Sequence, residues 1–429
     1  MSAARPPIPQ PTPASKLPPP EVPPSLQQPP PGPVRVVALS PEPGVYAIGI
    51  VFKRTYVLSH GQPCRPADEQ IPLDPEGAFH EPIAEGVAPS YKSLPEIIAL
   101  KTGTDVVVQA NACSRQPVKL MRVALRIGQH VHEAAVFGRR FCHWRNGTIV
   151  FSDPEPFESL PLRYENAYGG RDLVFEQAVA AEVKQRMAPN EYRQMKSTAG
   201  AFVQANHPLM YPRNRFGKGY IIENRQEAVE GRELPNLERP GDRLTPERIV
   251  LGNPFDWDKQ PIPIGFDFLD PMSFPRTAML GFPPPSTREI SAAREAVAGM
   301  VPPDFYRGSI FTTSPDKISE IVHADAGRCA SLGLRFPFLR GDEQMVLSGM
   351  DAAIPDFIVQ LPGEVPAFGL QSPDGSFSQV PQELHTVFID VPRRILTLIW
   401  AGRMRIAKPM QPGTDLSLTS AAQVRMMRP

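Results

Sequence analysis

The sequence predicts a mainly β fold: a large antiparallel, β-sandwich-like body with long loops rich in proline and glycine and a few short helices. Two observations support this prediction. Segments with alternating apolar and polar residues recur along the chain, for example at 45–52 and 131–137, and a period of two is typical of half-buried strands. The chain also contains 54 prolines, and proline disrupts helix interiors because it lacks an amide donor.

The composition divides the chain into a proline-rich start, a long body and a short end. Residues 1–33 contain two runs of three prolines and almost nothing that could be buried, which predicts a disordered tail. The composition changes at Val34, and no linker interrupts the sequence up to about residue 410. We therefore expect one large β-rich domain over 34–410 and a C-terminal tail over 411–429.

Most of the predicted elements are strands. The most apolar strand-like segment, 395–400, is expected at the centre of a sheet. A helical period begins at Leu173 with Asp172 as the expected N-cap, which predicts a helical insert over 170–214 that Pro189 interrupts. The other strand-like segments are 34–39, 45–58, 103–108, 118–127, 131–137, 343–347, 357–361 and 386–389, and a second short helix is expected over 286–300.

Charge and cysteine content exclude several classes of function. The chain has 45 Lys+Arg and 45 Asp+Glu, so no global field attracts nucleic acid or an anionic membrane. No signal-peptide pattern and no membrane-length apolar run is present, and we therefore expect a cytoplasmic protein without membrane insertion. The widely spaced Cys64, Cys113, Cys142 and Cys329 predict reduced thiols rather than disulfides.

Two histidines on one predicted strand raise the question of a metal site. His130 and His132 would share a strand face, and Cys142 and His143 follow one strand later. Two histidines at this spacing supply too few ligands for a zinc centre. Exposed polar strand residues are the simpler interpretation, and we expect neither a metal nor another cofactor.

The sequence has no nucleophile, zinc-protease, dinucleotide or phosphate-loop motif. The glycine-rich segment 216–220 follows a loop rather than a parallel strand, so we interpret it as a turn. One enzymatic alternative stays open, in which Glu165 pairs with Asp256, Asp258 or Asp267 in a carbohydrate-active hydrolase of β-sandwich type. Acidic pairs occur in most proteins of this length, so these carboxylates alone do not favour catalysis.

The segment 160–170, Leu-Pro-Leu-Arg-Tyr-Glu-Asn-Ala-Tyr-Gly-Gly, is the most distinctive in the chain. An alternating strand that runs into a double glycine predicts a bend with positive φ, which glycine adopts without steric cost. We expect Glu165 to accept hydrogen bonds from backbone groups of that bend.

Several segments, taken in order, resemble a bacterial family catalogued as domain of unknown function 2169 and associated with type VI secretion. The segments that carry the resemblance are 52–55, 101–106, 136–138 with Trp144, 154–157, 162–170, Asn214 with 217–219, 234–237, 263–266, 275–276, 341–343, 386–387 and 398–402. The central motif positions are Tyr164, Glu165, Tyr168, Gly169, Gly170, Asn214, Gly217, Gly219, Leu234, Pro235, Asn236 and Leu237. They either contact a partner or only build the fold, and their many glycines favour a structural role for several.

The resemblance implies a non-catalytic adaptor or chaperone without enzymatic activity. Its implied partners are a secreted toxin effector and the secretion spike, made of a VgrG trimer with a PAAR-type tip, onto which the effector is loaded. A structural scaffold of the secretion apparatus is a further alternative. The chain departs from the family pattern in its proline-rich tail, in Ala401 where an arginine is usual, and in a longer segment between Gly170 and Asn214. That insert is either a partner-specific element or surface decoration.

Overall fold

Two long strands pair along nearly their whole length at the centre of this computed structural model. β2 (Val45–Val57) lies antiparallel to β22 (Ile395–Ile406), from Tyr46 opposite Ile406 to Val57 opposite Ile395. Both segments alternate β-branched and aromatic residues with smaller or polar ones, which suits a pleated surface. The structure describes residues 32–42, 45–85, 87–98, 101–186, 210–273, 327–371, 377–406 and 422–427.

The described elements are mostly strands, which confirms the predicted mainly β fold. The remaining strands are β1 Val34–Glu42, β3 Arg65–Pro66, β4 Ala78–Phe79, β5 Tyr91–Ser93, β6 Thr104–Gln109, β7 Asn111–Val118, β8 Leu120–Ile127, β9 His130–Phe137, β10 Cys142–Arg145, β11 Thr148–Phe151, β12 Phe157–Pro161, β13 Tyr168–Gly169, β14 Lys218–Gly219, β15 Leu237–Glu238, β16 Arg335–Phe336, β17 Gln344–Ser348, β18 Asp356–Gln360, β19 Val365–Gln371, β20 Phe377–Val380, β21 Gln382–Asp390 and β23 Ala422–Met427. The helices are α1 Leu173–Arg186 and α2 Gln226–Val229, with 3-10 turns at Tyr164–Asn166, Pro254–Lys259 and Leu332–Leu334.

The largest sheet has the strand order β1-β2-β22-β21-β6-β16, with β3 beside β2. Leu398, Ile399, Trp400 and Ala401 are all buried. Since successive side chains of a strand point to opposite faces, β22 is covered on both sides, as predicted for a central strand. The pairing of β6 with β21 is parallel, so this sheet departs from the antiparallel expectation at one position.

A second sheet with the order β15-β9-β8-β17-β18 packs with the first around one hydrophobic core. Val107 and Leu396 of the first sheet belong to the same buried cluster as Leu125 and Leu347 of the second. The two sheets therefore share a core in the manner of a sandwich. The turn between β8 and β9 occurs at Gly128, whose φ is 55°, as the predicted hairpin requires.

A smaller aromatic cluster lies beneath the motif segments. The ring of Tyr211 lies 5.0 Å from that of Tyr168, 5.5 Å from that of Tyr220 and 6.4 Å from that of Trp257, measured between centroids. Leu234 is buried in the same cluster. These large side chains give the loop-rich region 210–260 a core of its own, which fixes the backbone around the motif.

The helix beginning at Leu173 is confirmed, and the Asp172 side chain caps it by accepting a hydrogen bond from the Phe175 amide at 3.1 Å.

Ala422–Met427 forms β23 and pairs with β19, so the described part of the predicted C-terminal tail belongs to a sheet. Among the described residues, none of the helices has both the length and the apolar character needed to cross a membrane. Residues 1–31 of the tail predicted over 1–33, Pro189 and the predicted helix at 286–300 lie outside the described residues.

Candidate functional site

Gly169 and Gly170 bend the chain at the point where its backbone passes very close to that of residues 214–219. We call this contact between the two segments the motif crossing. Tyr168–Gly169 pairs in parallel with Lys218–Gly219, and the φ angles of Gly169 and Gly170 are 147° and 88°. A Cβ atom at Gly170 would lie 2.1 Å from the carbonyl oxygen of Gly217. The predicted glycine bend is confirmed, and the close approach of a second backbone adds a reason for glycine that the sequence does not show.

Asn214 holds this crossing together with its side-chain amide. Its Nδ2 donates to the carbonyl oxygens of Tyr164 at 2.9 Å and Tyr168 at 3.1 Å, while its Oδ1 accepts from the Phe216 amide at 3.2 Å. Asn214 is therefore occupied with the backbone on both sides of the crossing. The interpretation of 216–220 as a turn is only partly right, because its residues 218–219 form the strand that pairs with the bend.

Residues 234–237, the third segment of motif positions, connect the motif crossing to the second sheet. Asn236 Nδ2 donates to the Phe137 carbonyl oxygen at 2.9 Å, and the Phe137 amide donates back to the Asn236 carbonyl oxygen at 2.8 Å. Leu234 is fully buried, and a Cβ atom at Gly219 would lie 3.0 Å from Pro235 Cδ. Of the motif positions, Gly217 is half-buried and the others are buried: Tyr164, Glu165, Tyr168, Gly169, Gly170, Asn214, Gly219, Leu234, Pro235, Asn236 and Leu237.

Glu165 binds a distant loop rather than its own bend, which corrects the expectation. Its Oε1 accepts from the Ser90 amide at 2.6 Å and its Oε2 from Ser90 Oγ at 2.7 Å. The carboxylate is buried, with Glu165 only 1% exposed. Glu165 thus ties the loop before β5 to the motif.

The aspartates considered with Glu165 have other partners. Asp267 is buried, and its Oδ2 lies 2.7 Å from His80 Nε2 while its Oδ1 accepts from Gln109 Nε2 at 3.0 Å. Burial raises the pKa of Asp267. Asp256 forms an ion pair with Lys259 at 2.9 Å, and the side chain of Asp258 lies outside the described part. Glu165 and Asp267 therefore bind different side chains in the structure, Ser90 for Glu165 and His80 with Gln109 for Asp267.

The histidines bind backbone and a carboxylate. His130 Nε2 lies 2.6 Å from the Gly333 carbonyl oxygen, and His132 Nε2 donates to that of Gly265 at 3.0 Å. His132 is buried, contrary to the expectation of an exposed strand residue, and burial lowers its pKa to about 4. His143 Nδ1 lies 3.0 Å from Glu230 Oε1. Across the described residues, no group of three or more His, Cys, Asp or Glu side chains could hold a metal ion.

An open groove of about 950 Å³ runs beside the motif crossing. Its exposed large apolar residues are Leu173, at the start of α1 and 54% exposed, and Ile83, which is 40% exposed. The floor includes motif residues, and the full lining is Ile83, Ala84, Val87, Arg139, Leu160, Pro161, Glu165, Asn166, Leu173, Val174, Phe216, Gly217, Lys218, Glu227, Ala228, Glu230, Gly231, Arg232, Glu233 and Asn236. The sequence did not single out Ile83 or Leu173 as site residues, because only the fold brings these segments together.

Charged residues of both signs surround this groove and pair with one another. Lys218 Nζ lies 2.7 Å from Glu233 Oε1, and burial lowers the pKa of Lys218. Arg139 also approaches Glu233, at 3.6 Å, and Arg232 approaches Asp172 at 3.5 Å. Neither sign of charge therefore dominates at the groove.

Aromatic side chains extend the apolar surface beyond the groove. The ring of Tyr91 lies 6.0 Å from that of Phe216 in the groove wall and 4.4 Å from that of Phe79. Phe79 is half exposed. The surface therefore continues from Leu173 through the groove to the β4–β5 hairpin, and large aromatic residues of this kind are typical anchors in protein interfaces.

Residues 44–401 match the model of a protein family described as "Uncharacterized protein conserved in bacteria (DUF2169)". This span covers more than half of the chain and includes most of both sheets, the motif crossing and the groove. No curated protein and no solved structure matches the chain significantly.

Proposed function

This chain belongs to the bacterial DUF2169 family, and from that membership and the groove we propose that it is a non-catalytic adaptor or chaperone. Its proposed role is to bind a type VI secretion effector in the cytoplasm and to assist its loading onto the VgrG/PAAR spike. The link to secretion comes from the resemblance of the motif segments. The proposal of a binding role rests on the surface that these segments support.

One observation carries the binding role: the motif builds the floor of a groove whose walls expose apolar side chains. Asn214, Asn236 and Glu165 direct their polar atoms to backbone groups or to Ser90. Such residues shape a surface without being poised for proton transfer or nucleophilic attack, which requires a reactive group within reach of a substrate. A rigid floor with exposed apolar walls is suited to holding part of another protein.

The exposed apolar residues supply the driving force for this binding. Burial of a large aliphatic side chain that was exposed contributes roughly 1.5–3 kcal/mol. Leu173 and Ile83 together therefore account for a change in affinity that a binding assay resolves easily. The paired charges around the groove then form a polar rim, where single substitutions have smaller effects.

The test is co-purification with an effector or spike protein encoded beside this gene, using full-length wild-type protein and the variants Leu173→Glu and Ile83→Glu. Both positions are exposed, and an acid in the first turn of α1 is compatible with the helix dipole, so folding should be retained. We expect each variant to weaken effector binding by about 10-fold or more. The matched control is Val131→Glu on β9, which replaces a 51% exposed valine outside the groove.

Binding that is equal in all four proteins would place the interface elsewhere, and a folded wild-type protein that binds neither class of partner would refute the adaptor role. Retention of the protein in the assembled secretion apparatus would favour the scaffold alternative. Hydrolysis of a glycan by the wild type and its loss in Glu165→Gln would favour the hydrolase alternative.

A further inference from the structure

A lysine and a cysteine that are far apart in sequence meet in the buried interior of the large sheet. Lys101 Nζ lies 3.5 Å from Cys329 Sγ, although 228 positions separate the two residues. Both residues are buried. Lys101 Nζ also donates to Asp105 Oδ2 at 2.9 Å and to Thr386 Oγ1 at 2.9 Å, so the amino group is fixed in place beside the sulfur.

Asp105 touches both members of this pair. Its Oδ2 lies 2.9 Å from Lys101 Nζ and 3.3 Å from Cys329 Sγ, and accepts from the Cys329 amide at 2.7 Å. Its Oδ1 accepts from Arg328 Nε at 2.8 Å. A carboxylate in contact with both an amine and a thiol can pass a proton between them or away from them, which the chemistry of either group requires.

A small enclosed cavity of about 20 Å³ opens directly onto the lysine and the cysteine. A volume of this size holds about one water-sized molecule. Its lining is otherwise largely apolar and includes Phe268, Phe388 and Ile399. A dioxygen molecule is small and apolar enough to enter such a space, and would there lie beside both Lys101 and Cys329.

We propose that Lys101 and Cys329 form a covalent, redox-controlled crosslink in which one oxygen atom bridges Nζ and Sγ. Lys101 is ion-paired with Asp105, so its ammonium first gives up one proton, which the Asp105 carboxylate can pass on. The amine, the thiol and one dioxygen molecule then give the N–O–S bridge and one water. One N–H bond and the S–H bond break, an N–O and an O–S bond form, and the two hydrogens leave in the water with the second oxygen atom. Nitrogen and sulfur each lose two electrons, and dioxygen gains four.

The geometry favours a bridging oxygen over a direct bond between sulfur and nitrogen. The Nζ and Sγ atoms are 3.5 Å apart and must move closer to form any covalent link. Because an N–O–S bridge spans two bonds, this movement is smaller for the bridge than for a direct S–N bond. The crosslink joins the segment before β6 to the segment before the 3-10 turn at Leu332–Leu334. Because it closes a long loop in the unfolded chain, it should stabilise the folded protein, as a disulfide of the same span would.

The experiment compares full-length protein kept under argon with protein equilibrated with dissolved dioxygen, using intact mass and peptide mapping. We expect a species that has gained one oxygen and lost two hydrogens, in which the peptides containing Lys101 and Cys329 are joined. A thiol reductant should remove it, and its Tm should exceed that of the reduced protein. The species should be lost in Cys329→Ser and retained in the matched control Cys113→Ser.

A second variant, Lys101→Arg, keeps a cation beside Asp105 and removes the amine, so a folded protein of this kind should also lack the crosslink. Three results would overturn the proposal: no joined peptide after oxygen exposure, a joined peptide that has lost two hydrogens without gaining oxygen, or oxidation of Cys329 to a sulfinic acid without joining.

Discussion

Gly170 and Gly231 illustrate two different reasons why a single position requires glycine. Both have a positive φ, 88° and 73°, but a Cβ atom would lie 2.1 Å from the Gly217 carbonyl oxygen at Gly170 and within 4 Å of nothing at Gly231. We expect Gly231→Ala to cost about 1 kcal/mol of unfolding free energy from the backbone conformation alone. Gly170→Ala should cost about 3 kcal/mol or more, because the crossing strand must also move.

Urea unfolding of the two variants beside wild type measures this difference. A similar cost for both substitutions would show that the backbone crossing at Gly170 relaxes easily, contrary to the rigid floor that the groove requires. Equal m-values in all three proteins would confirm that the comparison concerns stability rather than a change in the unfolded state.

At the residue scale, the sequence predicted the bend but not its partners. A double glycine after an alternating segment indicates a positive φ, because few other residues adopt it. The pattern contains no information about which distant group donates hydrogen bonds to the side chains near the bend. Ser90, the partner of Glu165, lies 75 positions away. The same limit applies to Ile83 and Leu173, which become neighbours in the groove only through the fold.

At the scale of elements, Asp172 connects α1 to the aromatic cluster through two backbone amides. Its Oδ1 accepts from the Phe175 amide at 3.1 Å, and its Oδ2 accepts from the Ile222 amide at 2.8 Å. Asp172→Ala removes the cap and leaves a buried amide without its acceptor, so we expect a loss of about 2–4 kcal/mol. Asp172→Ser should retain the cap and lose the second bond together with the ion pair to Arg232, with a cost of about half that.

Hydrogen exchange distinguishes these two effects. The Ile222 amide should exchange faster than in wild type in both variants, whereas the Phe175 amide should exchange faster only in Asp172→Ala. Unchanged exchange at Ile222 would mean that another group replaces the carboxylate, and that α1 is not joined to the aromatic cluster in this way.

Local periodicity explains which elements the sequence could predict. The β8–β9 hairpin and α1 each follow from a continuous pattern with a turn glycine or a capping aspartate beside it. The parallel pairing of β6 with β21 brings Asp105 opposite Thr386, and no local pattern encodes such a long-range register. β13, β14 and β15 are two-residue strands, too short for any period to reveal.

At the scale of the whole molecule, two buried histidines link the fold to pH. Burial lowers the pKa of His132 to about 4 and that of His385 to about 3. His132 lies between the second sheet and Gly265, and His385 lies on β21 of the first sheet near the Ile98 carbonyl oxygen. Since the two histidines lie in different sheets, protonation of both would disturb the sandwich from two sides.

The sign of the effect follows from the direction of these shifts. In the unfolded chain a histidine has a pKa of about 6.5, so below that pH the unfolded state binds more protons than the folded state. The stability contribution is therefore fully present above about pH 6.5 and declines as the pH falls toward the folded pKa values of about 4 and 3. Each histidine contributes a slope of about 1.4 kcal/mol per pH unit in that window.

His132→Gln tests this dependence, because an amide can still donate to the Gly265 carbonyl oxygen but does not titrate. Unfolding free energies of wild type and variant, measured between pH 7.5 and 4.5, should diverge below about pH 6, with a slope smaller by about 1.4 kcal/mol per unit in the variant. Above pH 7 the two slopes should coincide, which serves as the internal control. Because every other titrating group is common to both proteins, parallel curves throughout would show that His132 has the same pKa in the folded and unfolded chain, and that its burial does not limit the stability of the sandwich in acid.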